Sequence, residues 1–84
     1  MPNPSELRRA IVASFNLDEL DLLCADLDAT FAEAGLDVRV SLERIGAMHG
    51  SIEVRVQRLI EYLVRRDCLA ALVAAVRQAR PGRL

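Results

Sequence analysis

The sequence has no lysine and no tryptophan, one histidine, one tyrosine, two phenylalanines and two cysteines in 84 residues. Without tryptophan, a hydrophobic content of 52% drawn mostly from leucine, valine and alanine favours a helical bundle over a sheet. The lone histidine, His49, stands beside Gly50 and reads as a surface loop residue. One imidazole excludes a multi-histidine metal site and a relay through a second ring. The Gly46 to Gly50 segment lacks the lysine and the preceding strand of a phosphate-cradling loop. Cys24 and Cys68 fall on predicted apolar helix faces, where a cysteine acts as a small hydrophobe. Neither a structural disulfide nor a thiol nucleophile paired with His49 is expected. Long apolar runs are missing too. The longest uncharged stretch, Cys68 to Val76, is far too short to span a bilayer. Met1-Pro2-Asn3-Pro4 lacks the basic-then-apolar pattern of a leader. These shortages make an enzyme the weakest class and lead to expecting a cytoplasmic protein with no catalytic residues, cofactor, metal or membrane partner.

What the chain does have is charge, unevenly laid out. Formal net charge is −1, which argues against a nucleic-acid binder, since those carry a basic excess. Residues 1–37 hold Arg8 and Arg9 against eight acids, whereas residues 38–84 hold nine arginines against Glu43, Glu53, Glu61 and Asp67. Every basic side chain is arginine, which reads first as GC-rich codon usage and second as selection for forked, bidentate contacts. Two explanations of the polarity stay open. The halves neutralise each other within one molecule, or complementary faces associate between molecules.

Periodicity divides the chain into helices. At 84 residues a single domain covering 1–84 is expected, with a stability of roughly 4 to 12 kcal/mol. Pro4-Ser5 starts a short helix from about Glu6 to Ser14 with Leu7, Ala10 and Ile11 inward. Asn16 with Glu19 three residues later predicts a capping box for the next helix, whose core stripe is Leu20, Leu23, Cys24 and Leu27. Thr30, Phe31 and Ala34 continue helically to a left-handed stop at Gly35. Leu36 to Val40 is expected as an extended connector, because a lone strand has no partner. Ser41 to Met48 is expected as a short helix. Val56, Leu59, Ile60, Leu63 and Val64 then mark a long amphipathic helix capped by Ser51, and Asp67 is expected to cap a final one carrying Leu69, Leu72, Val73 and Val76. The total is about six helices. Leu22 does not fit: it falls among Asp18, Glu19 and Asp26, off the core stripe. In a compact bundle another helix covers such a residue; left open, it is an interface anchor.

Leu7-Arg8-Arg9-Ala10 with Phe15, Leu20, Leu23-Cys24 and Leu27, together with Arg58 to Leu63, Leu69 to Val73 and Ala79-Arg80-Pro81-Gly82 with Leu84, resembles the type 1 effector-associated domains of bacterial conflict systems. The resemblance spans nearly the whole chain, with Gly35 to Gly50 matching least. It implies an all-α, death-like bundle of about six antiparallel helices and a non-catalytic adaptor that pairs with a like domain on another chain. The leading expectation is a homotypic module in which Arg55, Arg58, Tyr62, Arg65 and Arg66 dock on Asp18, Glu19, Leu22 and Asp26 of another copy or relative. The runner-up is a small helical DNA-binding regulator that lays the Arg55 to Arg66 helix on nucleic acid. An enzyme subunit or antitoxin-like inhibitor with an unrelated partner is the third.

Overall fold

Asn3 begins the first helix by accepting the Glu6 backbone N–H through its side chain at 2.8 Å, with Pro4 at the first helical position. Proline is suited to that position, where its missing N–H leaves no bond unmade. The helix therefore starts at the Pro4-Ser5 signal, two residues before the expected Glu6. The computed structural model describes residues 2–41, 43 and 50–82, which form four helices: α1 Pro4–Ser14, α2 Leu17–Glu33, α3 Ile52–Arg65 and α4 Leu69–Ala79.

The expected count of about six is corrected to four among these residues. The residues expected to continue helically from the α2 stripe to Gly35 do so as one helix, with nothing interrupting the backbone ladder between Asp28 and Phe31. Thr30, the one β-branched residue there, turns its hydroxyl back to donate to the Asp26 carbonyl at 2.9 Å. The helix expected from Ser41 to Met48 lies, beyond Ser41 and Glu43, outside the described residues. The expected capping box is present: Asn16 accepts from Glu19 N–H at 2.8 Å, and the Glu19 carboxylate accepts from Asn16 N–H at 3.0 Å.

α2 and α3 end in the same way on different residues. Leu36 N–H reaches the Phe31 carbonyl and Gly35 N–H that of Ala32, with Gly35 at φ 75°. Cys68 N–H reaches the Leu63 carbonyl and Asp67 N–H that of Val64, with Asp67 at φ 56°. Both are left-handed Schellman stops. Asp67 thus closes α3 instead of capping α4, whose N-cap is Cys68 with no side-chain capping bond. Aspartate tolerates the left-handed region better than most side chains, which makes this exchange of roles possible.

α1 packs on α3, α2 on α4, and α3 on α4, within overall dimensions of 31 × 28 × 21 Å. Leu7 and Ile11 of α1 meet Val56, Leu59, Ile60 and Leu63 of α3; the α2 stripe with Phe31 meets Leu72, Val73 and Val76 of α4 in the same core. Each such aliphatic side chain contributes about 1.5 to 3 kcal/mol on burial. Val64, expected in the stripe, is 51% exposed and lies outside the Val56, Leu59, Ile60 and Leu63 face that enters the core.

The connector after Gly35 is extended as expected and is tied at two points. Val40 is buried and its N–H donates to Asp28 Oδ1 at 2.9 Å; the Tyr62 hydroxyl donates to the Arg39 carbonyl at 2.6 Å. These bonds draw the segment across α2 and α3.

Candidate interaction faces

The α3 residues proposed for docking divide into two groups. Seven and eleven residues separate Arg55 from Tyr62 and Arg66, so the three share one edge of α3 next to the core stripe. All three are engaged internally. Arg55 Nε donates to the Gly50 carbonyl at 3.1 Å, the Arg66 guanidinium stacks 3.8 Å over the Tyr62 ring, and Tyr62 holds the connector. Arg58 and Arg65 lie farther from the core, exposed, two turns apart. Among the described residues neither makes an ion pair or a hydrogen bond. They flank a shallow 90 Å³ depression with Glu61 and Tyr62, and Arg58 borders a second, of 450 Å³, with Val54, Gln57 and Arg8 of α1. The sequence gives no sign that Arg8 reaches this side; only the α1 to α3 packing brings it there.

On α2 the charge is of one sign: six acidic side chains and no basic one. Leu22 is 66% exposed, so no helix covers it, and it stands open between Asp18 and Asp26, which are exposed too. Glu19 differs from its neighbours. One carboxylate oxygen completes the capping box, while the other takes an ion pair from Arg80, which also donates to the Ser14 carbonyl at 3.2 Å and lies 4.6 Å over the Phe15 ring. Arg80 clamps the end of α4 to the α1–α2 junction. Among the described residues this is the one ion pair, so apart from it no acid of the first half is matched to an arginine of the second there.

A feature that periodicity could not reveal is a groove of about 580 Å³ between α2 and α4. Leu23 and Leu27 with Ala71 and Ala75 form its base, Asp26, Thr30 and Glu33 one wall, and Ala74 and Gln78 the other. Its signal was the alanine-rich body of α4, which leaves little side-chain bulk beside α2.

Cys24 offers no reactive thiolate. Cys24 is buried, and burial, with the Asp21 carboxylate adding to it, pushes its thiol up to about 12. Cys68 is half-buried and its thiol donates to the Arg66 carbonyl at 3.2 Å; both cysteines are free. Among the described residues no three His, Cys, Asp or Glu side chains come together as metal ligands, and no helix is long and apolar enough to cross a membrane. Comparison with protein-family models, curated proteins and solved structures finds no match.

Proposed function

We propose that this chain is a non-catalytic adaptor with a death-like fold, which couples an effector to its activator in a bacterial defence or signalling system by pairing with a like domain. The docking faces are the arginine side of α3, with Arg58 and Arg65 as its free cations, and the acidic side of α2 around Leu22. One observation carries the reading: among the described residues Arg58 and Arg65 of α3 and Asp18 and Asp26 of α2, the two acids flanking an exposed leucine, have no ion-pair partner in their own molecule. Exposed charges of this kind add little to the stability of a fold, yet they steer and orient association. A large apolar side chain left open among them supplies the contact that excludes water. Arg55, Tyr62 and Arg66 support the face by holding its edge in place. The family resemblance contributes the biological setting.

The test is light scattering over a range of concentrations at low and high salt, on the native chain and on the Arg58→Glu, Arg65→Glu variant. Salt-sensitive association that disappears in the variant is the expected result. Association that persists unchanged in the variant, whether with itself or with a like domain, disposes of the arginine face.

A further inference from the structure

We propose that the groove between α2 and α4 is the acceptor for the outer strip of α3 from a second copy of this chain. This rests on the reading of the chain as a homotypic module and deepens it, moving the acidic contact from the Asp18 end of α2 to the Asp26–Glu33 wall.

The charges match in sign and in spacing. The ionic groups lining the groove are Asp26 and Glu33, both on α2 and seven residues apart. On α3, Arg58 and Arg65 are also seven residues apart. In each helix this separation is two turns, about 10.5 Å along the axis, so two cations of one helix meet two carboxylates of another without either being bent. Among the described residues all four lack an ion-pair partner in their own chain.

The groove also has a shape that a helix can use. Ala71, Ala74 and Ala75 leave the α4 side low, so an incoming helix approaches close to the backbone, and Val54, 44% exposed one turn before Arg58, is the side chain that reaches the apolar base. Glu61 lies beside the line of the two arginines. One of the two helix directions turns it away from α2 toward Gln78 on the uncharged wall, whose amide donates to it, and that direction is the one assigned. Because strip and groove belong to different elements, the contact is head to tail, and each molecule keeps one free strip and one free groove for the next.

The experiment mixes two broken halves. The Arg58→Glu, Arg65→Glu chain has an intact groove; the Asp26→Arg, Glu33→Arg chain has an intact strip. All four positions are exposed, and thermal melts establish that both variants fold; the milder Asp26→Asn, Glu33→Gln chain serves if the reversed one does not. In low-salt light scattering the native chain is expected to form concentration-dependent assemblies. Either variant alone is expected to associate at least tenfold more weakly; an equimolar mixture of the strip variant with the neutralised Asp26→Asn, Glu33→Gln chain is expected to stop at a species of twice the 9.3 kDa chain mass, because only a reversed groove would also accept the reversed strip. If the groove variant, reversed or neutralised, assembles like the native chain while the strip variant does not, the groove assignment is overturned and the adaptor reading stands. A native chain that stays monomeric at every concentration overturns the second copy as occupant. Association undiminished in both variants overturns groove and arginine face together.

Discussion

α2 and α3 are both long amphipathic helices with a capped start and a left-handed stop, yet they use their polar sides differently. α3 uses three of its flanking aromatic and cationic groups internally: Arg55 closes on Gly50, and Tyr62 with Arg66 holds the connector. α2 commits Asp28 to the connector and Glu19 to Arg80, and leaves Asp18, Leu22, Asp26 and Glu33 to the outside. The difference lies in what surrounds each helix. α1, α4 and the connector all run against α3, whereas α2 has α4 as its main helical neighbour and meets the connector at Val40. A helix with fewer neighbours keeps more surface for partners, and here that surface is acidic.

The sharpest way to break the comparison is to remove one leucine from each kind of position. Leu63→Ala in α3, where the side chain has no exposure, is expected to lower the unfolding free energy by about 2 to 5 kcal/mol in urea titration. Leu22→Ala in α2 is expected to change it by less than about 0.5 kcal/mol while weakening association. A large stability loss at Leu22 contradicts its exposure.

The two helix stops permit a smaller and reciprocal test. Gly35→Ala places a Cβ at φ 75° with no clash against neighbouring atoms, so its cost is conformational, about 1 kcal/mol. Asp67→Gly relieves the same strain and is expected to raise stability by up to about 1 kcal/mol. Thermal melts of the two variants moving in the same direction would show that the stops are not equivalent.

Smallest are the arginines. Arg80→Ala loses an ion pair, a bond to the Ser14 carbonyl and a ring contact, for an expected cost of about 1 kcal/mol, discounted because the pair is partly exposed. Arg65→Ala is expected to be neutral within about 0.5 kcal/mol. Equal effects at the two positions would mean that Arg65 has a partner in its own chain.

Much of this was legible before the structure. The Asn16–Glu19 capping box, the Gly35 stop, the Ser51 cap and the stripes of α1, α2 and α4 follow from spacing, because the side chains involved lie within a turn or two of each other. The misreadings have a common cause. Asp67 is equally suited to start a helix and to sit left-handed at the end of one, and the bonds from Asp67 and Cys68 back to Val64 and Leu63 decide between the two. Val64 and Leu22 are the same kind of residue as their buried neighbours and differ only in whether another helix lies over them.

The sequence by itself determined that the chain is helical, where most helices begin and end, and that acid and base are segregated along it, since these depend on propensity, caps and local periodicity. Tertiary structure alone decided which charges meet. It brought Arg80 to Glu19 across sixty-one residues and Arg8 beside Arg58, and it left Asp26 and Glu33 facing an alanine-lined groove. Contacts between residues distant in the chain depend on how whole helix faces pack, and no window of local sequence contains that information.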